Sequence, residues 1–444
     1  MWQVWIAVCA VILVSSSSYA QPAFGKDMRS EFYFDEGLIF LNHGSFGATP
    51  KMILDHEFSL QIQMERNTMN WMKRTRIPLL DENRHGIAQY ANARVEDTVI
   101  VVDATSAINA VFRSIQFQPG DKILYLDTVY GAVAEMFKLI KYANDVTLIQ
   151  VPVPFPLSGE QEIIDVITEQ FQIHDNIRIA LFSHITSPTS LILPVKELIT
   201  LAHSYGTQVF IDGAHSVGQI PLNITDINAD YYCVDIHKWL CGPKGAGVLW
   251  VKPEYHSVIV PTSISSGASG GYIAAFEWTG TLDFSAYLSI NAAIDWRNYI
   301  GGDEVVQTYN NNLCNYAGSS VALIWGTTYP SLAPTSMFAS LSVVELPSVA
   351  YVLTEQQLQD QLFANYQIEI VFFTLGTTRY TRMSCHVYNY EEEYLTYAQA
   401  VMNLTSNFIL NNPRSTMEEI SYAKLELTRS MRIYNQLYSG LQRK

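Results

Sequence analysis

Cysteine is scarce and scattered: five occur in 444 residues, with Cys9 near the start and Cys233, Cys241, Cys314 and Cys385 at wide, irregular intervals. That spacing excludes a disulfide-built scaffold and matches no metal-ligand pattern, so no metal site is expected. Cys233 and Cys385 fall in apolar, strand-like runs, where the expectation is a small buried hydrophobe. Positive charge is short as well, with 27 Lys plus Arg against 42 Asp plus Glu and a formal net charge of −15. No basic run offsets this balance, which argues against a nucleic acid partner. Long apolar runs are also missing. The one at the start, Val4 to Val14, falls well short of the ~20 residues that span a bilayer.

What is present is a large core. Hydrophobic residues make up 48% and charged residues 16% of the chain, enough for two packed lobes. Residues 1–20 combine the short apolar run with small polar residues ending in Ser18-Tyr19-Ala20, which reads as a cleaved signal peptide. The sequons Asn223-Ile224-Thr225 and Asn403-Leu404-Thr405 fit the same secretory route and a glycoprotein. The expected product is a secreted protein with no membrane span after cleavage.

Residues 21–50 form an N-terminal arm in this reading, ending in "IFLNHGSFGATP" (39–50), a short strand into a Gly/Pro-punctuated loop. A large domain follows over 51–300 and a smaller α+β domain over 301–444. Residues 51–92 are mostly helical in pattern. From about 97 to 252, apolar runs ("TVIVV", "KILYL", "VTLIQV", "IRIALFS", "QVFID") alternate with helical stretches at 107–117, 131–142, 160–172 and 195–204. This alternation predicts an α/β fold with a mainly parallel sheet, whose ligands bind outside the carboxyl ends of the strands. "SISSGASGGY" (263–272) is a Ser/Gly loop. Further strands are expected near 337–345 and 367–373.

Four of the strand ends are chemically unusual. Ala104-Thr105-Ser106 open a helix, where free N–H groups suit a phosphate; the alternative is simple capping. The run "QVFID" ends in Asp212, with His215 three residues on; a carboxylate there needs a cationic partner or caps the next turn. His184, Thr186 and Ser187 follow another strand, in what could be an ordinary loop. Lys238 lies among Tyr231, Tyr232, Val234, Ile236, Trp239 and Leu240, which leave little polar surface for it to reach. A lysine in apolar surroundings serves as a nucleophile toward carbonyls, whereas a surface lysine would extend into water.

Taken together, the motifs "LNHGSFGATP", "DATSAIN", "TSPTSLILPV", "DGAHSVGQIPL", "HKWLCGPKGAGVLWV", "FEWTGTLD" and "RMSCHVYN" resemble the class V aminotransferase-like enzymes of fold type I, which use pyridoxal 5'-phosphate. Within that group the similarity is to the branch containing isopenicillin N epimerases, cysteine desulfhydrases and hercynylcysteine sulfoxide lyases. It extends from about residue 30 to about residue 410. The resemblance implies a sheet of the seven-stranded type and a catalytic Lys238 that carries the cofactor as a Schiff base and moves the substrate's α proton. Asp212 would pair with the ring nitrogen, His215 and Ser187 would lie near the phenolic oxygen, and Tyr130 would stack on the ring. Thr105, Ser106 and His237 would bind the phosphate, joined by Thr281 from a second subunit of a homodimer. Arg382 would grip the α-carboxylate of an amino-acid substrate.

Residues 359–381 contain no cysteine, which disfavours persulfide-forming desulfurase chemistry. The expected activity is a carbon–sulfur lyase acting by β-elimination on cysteine or a cysteine conjugate. An amino-acid epimerase or aminotransferase of the same family is the alternative, and a secreted non-catalytic relative is the alternative of another class.

Overall fold

The computed structural model of the chain describes residues 22–443. The expected signal peptide falls outside them. Seven strands form the central sheet: β1 (Thr98–Val101), β2 (Lys122–Leu126), β3 (Thr147–Val151), β4 (Ile177–Ser183), β5 (Gln208–Asp212), β6 (Tyr231–Asp235) and β7 (Gly247–Val251). Their order is β3-β2-β4-β5-β6-β7-β1, and only β7 runs against its neighbours. The expected α/β architecture is therefore the observed one.

β6 and β7 are buried at every position, and β5 at every position after Gln208, as strands covered on both faces must be. Alternate residues serve the two faces. Val99, Ile123, Leu181, Phe210 and Cys233 pack under α3 (Ala104–Ser114) and α4 (Gly131–Asn144). Ile100, Leu124, Phe182, Ile211 and Val234 face the opposite layer, which includes α1 (Lys51–Arg66), α2 (Arg76–Tyr90), α5 (Gln161–Ile173), α6 (Val195–Ser204) and α7 (Ile290–Tyr299). The helix expected at 107–117 starts and stops three residues earlier. Asp103, in extended conformation, accepts a hydrogen bond from Ser106 N and sets the start, and Ile115 has left helical geometry at the end.

After α8 (Gly302–Trp325) come β8 (Leu341–Glu345), α9 (Glu355–Tyr366), β9 (Val371–Leu375), β10 (Thr378–Ser384), α10 (Glu391–Asn411) and α11 (Met417–Leu441). The three strands form an antiparallel sheet in the order β9-β10-β8. The first of them begins later than residue 337 because Thr335–Met337 forms a 3-10 turn. Ile39-Phe40 pairs in parallel with Ile368-Glu369, tying the N-terminal segment to this C-terminal layer. No helix among the described residues is long and apolar enough to cross a membrane. Cys233, Cys241, Cys314 and Cys385 are all free and buried.

Candidate active site

The strand ends are in step: Ser183 of β4 pairs with Asp212 of β5, and Asp212 pairs with Cys233, so β6 continues two residues further, to Asp235. Above these ends lies a cavity of about 200 Å³. Loops after five strands meet there with Ser45 and Phe46 of the N-terminal segment. Of the residues expected from sequence, Lys238, Asp212, His215, Thr105, Tyr130, Ser187 and His237 all line it.

Lys238 is not in wholly apolar surroundings, and this corrects the sequence reading. Trp239 and Leu240 turn into the core, while Lys238 Nζ points back to Asp235 Oδ2 at 3.0 Å. The other Asp235 oxygen accepts a hydrogen bond from Ala104 N at 2.8 Å, so one carboxylate links the amine to the start of α3. Sequence reasoning missed Asp235, although the signal was the one that singled out Asp212: an apolar strand, "YYCVD", closed by a carboxylate.

Asp212 is buried, accepts from Ala214 N at 3.1 Å through Oδ1, and is offered no hydrogen bond by the described residues at its other oxygen. Burial pushes its affinity for a proton up, partly offset by the Ala214 bond and Lys238. His237 has a buried Nδ1 with no partner among the described residues, and burial lowers its pKa. His215 is buried too. Trp239 Nε1 donates to its Nδ1 at 3.3 Å, which leaves the ring proton on Nε2. Burial holds His215 well below the usual histidine range, with Lys238 and Arg382 acting in the same direction.

At the mouth of α3 the capping residue is Asp103, not Thr or Ser. Ser106 donates its N–H to that carboxylate and does not line the cavity, whereas Thr105 does. Tyr130 stands half-exposed on the rim. His184 and Thr186 face away: His184 Nδ1 bonds Tyr232 Oη at 2.7 Å, and Thr186 Oγ1 closes its own loop by bonding Thr189 Oγ1 and Leu191 N. Thr281 sits exposed outside the cavity of its own chain.

Arg382, in the middle strand β10, is one hydrogen bond behind the cavity wall. Nη1 donates to Ser187 O at 2.6 Å, and Nη2 donates to Asn42 Oδ1 at 3.0 Å and Ser45 Oγ at 2.9 Å. Its Nε is buried without a partner among the described residues, and burial lowers its pKa to about 10. Asn42 and Ser45 were not picked out by sequence, because they meet Arg382 across some 340 residues.

The same N-terminal segment braces the lysine turn. His43 Nε2 donates to Lys238 O at 2.8 Å, and Tyr388 Oη donates to His43 Nδ1 at 2.8 Å. Gly47, at φ +68°, lies so close that a Cβ would stand 1.7 Å from His237 O. Cys241 and His386 complete a buried cluster with His43, with Cys241 Sγ 3.4 Å from His386 Nε2. Sequence spacing gave no sign of this trio. Because His43 Nε2 carries the proton it gives to Lys238 O, it presents no lone pair to an ion, and the cluster serves as a brace for the turn.

A family model for aminotransferase class-V matches residues 54–395. Putative L-cysteine desulfhydrase 1 of Oryza sativa subsp. japonica is 28% identical over 416 residues, 86% of each chain. Isopenicillin N epimerase of Amycolatopsis lactamdurans is 25% identical over 395 residues, 85% of this chain and 98% of that one. Among solved structures, a variant of C-DES with glycine covalently linked to its pyridoxal-phosphate cofactor superposes with a TM-score of 0.73 at 21% identity, covering 84% of this chain and 98% of that one.

Proposed function

The chain belongs to the aminotransferase class-V family of pyridoxal-phosphate enzymes, and on that premise we propose that it is a carbon–sulfur lyase acting on cysteine or a cysteine conjugate. The observation behind this reading is the convergence on one cavity of an amine (Lys238), a buried anion (Asp212) and, just behind the wall, a guanidinium (Arg382).

The residues present fit the cofactor. Asp212 has an oxygen without a protein donor for a protonated ring nitrogen. Thr105, at the helix mouth, and His237, through its unpartnered Nδ1, suit a phosphate. Asp235 and Asp103 already accept from Ala104 N and Ser106 N, so the phosphate uses what these carboxylates leave. Bound there, pyridoxal phosphate supplies an aldehyde for an amine to condense with and an electron-withdrawing ring that acidifies the substrate's Cα–H.

The chain's own residues do the rest. Arg382, its Nη groups fixed by Ser187, Asn42 and Ser45, holds the α-carboxylate and so sets which Cα bond faces the amine. Lys238 Nζ takes the α proton, with Asp235 alongside to accept a hydrogen bond from it. His215, neutral and held by Trp239, offers an Nε2–H to an anionic oxygen. The net reaction is R–S–CH2–CH(NH3+)–COO− + H2O giving R–SH, pyruvate and ammonium. Elimination needs only this one base and a good leaving group. Epimerisation needs a second acid on the far face; His215, the donor that Trp239 holds, is committed to the anionic oxygen in this reading, and Tyr130 stands half-exposed on the rim.

A homodimer is part of the proposal, because Thr281 can serve a phosphate only from a second copy. Mixing Lys238→Ala with Thr281→Ala protein should restore activity through one intact site, and no recovery would contradict sharing. Export rests on the leader and on the sequon at Asn223, half-buried at the start of a one-turn helix; the sequon at Asn403 lies inside α10. A mature chain starting at Gln21 with glycan at Asn223 is expected by mass spectrometry, and an intact Met1 would refute it.

The reaction is tested by incubating the protein with cysteine, cysteine conjugates and other L-amino acids. Pyruvate with ammonia and a thiol supports the lyase. D-product or an acceptor-dependent 2-oxo acid would replace it with the epimerase or the aminotransferase. Cofactor that remains covalently fixed to the chain after borohydride reduction of the Lys238→Ala variant would sink the assignment of the amine.

A further inference from the structure

A second cavity, of about 720 Å³, opens beside the first, and Phe46 lines both. The first cavity, at about 200 Å³, lies below the ~300–1,000 Å³ of pockets that enclose drug-sized ligands. A cofactor fills such a space, so a substrate side chain of any size must leave it. The exit is marked by Asn42, which accepts from Arg382 Nη2 and also lines the larger cavity.

The larger cavity is aromatic on one side. Phe32 and Phe34 stack at 5.3 Å, Phe40 packs on Phe34 at 5.7 Å, and Phe46 is 70% exposed at the junction. An aromatic ring left that open beside a reactive centre is costly unless something covers it. The charged lining is Asp35, Glu57 and Glu369 against Lys244 alone, an excess that repels an anion.

We propose that this second cavity receives the sulfur substituent of the substrate, and that the substituent is an aryl or arylalkyl group without negative charge. The inference rests on the carbon–sulfur lyase reading and narrows its substrate from cysteine at large to aromatic thioethers. The α-carboxylate at Arg382 and the ring against Phe46 and Phe363 then fix the two ends of the substrate, with the scissile Cβ–S bond between them.

The test uses cofactor-loaded protein and three ligands: S-benzyl-, S-methyl- and S-carboxymethyl-L-cysteine. Dissociation constants come from the change in cofactor absorbance, and pyruvate is measured in the same samples. The benzyl compound should bind at least about ten-fold more tightly than the methyl compound, the gain that burying a ring provides. The carboxymethyl compound should bind more weakly than the methyl one. Phe46→Ala and Phe363→Ala, both at exposed rings, should each cut the benzyl-to-methyl preference by about three-fold or more. Equal affinity for benzyl and methyl, or a preference untouched in both variants, overturns the proposal. A benzyl preference without pyruvate keeps the aromatic site and removes the lyase reading. Pyruvate from all three ligands at equal affinity does the reverse.

Discussion

Replacing Arg382 separates a grip on the substrate from a merely structural cation. The side chain is buried in the middle strand of a three-stranded sheet, between Val371 and Val343, and its Nη groups are fixed by Ser187, Asn42 and Ser45. In Arg382→Lys the charge stays, but an ammonium with three hydrogens replaces a planar fork with five and cannot keep the bonds to Ser187, Asn42 and Ser45 while also meeting a carboxylate. Losing one charge-assisted hydrogen bond costs about 2 kcal/mol, or roughly thirty-fold in affinity. Arg382→Ala would leave the carboxylate unpaired in a buried place, at a cost of about 3–5 kcal/mol, two to three orders of magnitude or more.

The assay compares cysteine with cysteamine, the same molecule without its carboxylate, by titrating the cofactor absorbance. Arg382→Lys should weaken cysteine by about thirty-fold while cysteamine changes by no more than about three-fold. General damage to the sheet would weaken both alike, so thermal unfolding of the variant does not decide the matter and the ratio does. Parallel losses for the two ligands would refute the assignment and leave Arg382 as an anchor for Ser187 and Asn42.

Asp235→Asn keeps an oxygen for Ala104 N but removes a negative charge from the helix mouth and from beside Lys238 Nζ. Cofactor affinity should rise by about ten-fold in a fluorescence titration, and a weaker complex would show that the charge is needed. Gly47→Ala places a Cβ 1.7 Å from a backbone oxygen at a left-handed φ, so cofactor absorbance and the melting temperature should both fall. A variant with unchanged absorbance would mean that the segment does not press on the lysine turn. Burial lowers His43 to about 3 and His184 to about 4 from an ordinary 6.5. The unfolded chain takes up these protons first, so stability is complete above pH 6.5 and falls below it, by about 1.4 kcal/mol per pH unit for each histidine until its folded value is reached. Glu393, which burial raises to about 7, acts in the opposite sense over this range, so the test compares variants: the fall in urea midpoint from pH 7 to pH 5 should shrink in His184→Asn, and an unchanged fall would mean that this ring is not held neutral.

What was legible in the sequence was what local signals specify. Apolar runs of five to seven residues alternating with amphipathic stretches gave the parallel sheet. Residues that break that apolar pattern at strand ends, Asp212 and Lys238, gave the position of the cavity. Asp235 carries the same signal, a carboxylate closing "YYCVD", but that it faces the lysine three residues on emerges only from the turn between them. Asn42 and Ser45 had no local signal at all. Their chemistry exists only because Ile39-Phe40 pairs with Ile368-Glu369 and delivers the next few residues to β10. Thr281 is of a third kind: it does not line the cavity of its own chain, so its expected role rests on the proposed second copy.

That delivery has a mechanical consequence. Within residues 39–47 the chain pairs with the C-terminal layer, donates Gly44 N to Ser384 Oγ, gives two acceptors to Arg382, bonds Lys238 O through His43 and presses Gly47 against His237 O. One short segment therefore touches both the turn that carries the amine and the strand that carries the guanidinium. A shift of β10 relative to the sheet cannot move Arg382 without pulling on Asn42 and Ser45, and through His43 and Gly47 on the Lys238 turn. The spacing of the Arg382 guanidinium and the Lys238 amine is therefore coupled through this segment. Substitutions along 42–47 should accordingly disturb substrate orientation and amine position together, whereas substitutions on the outer helices of either layer should change stability and leave that pairing intact.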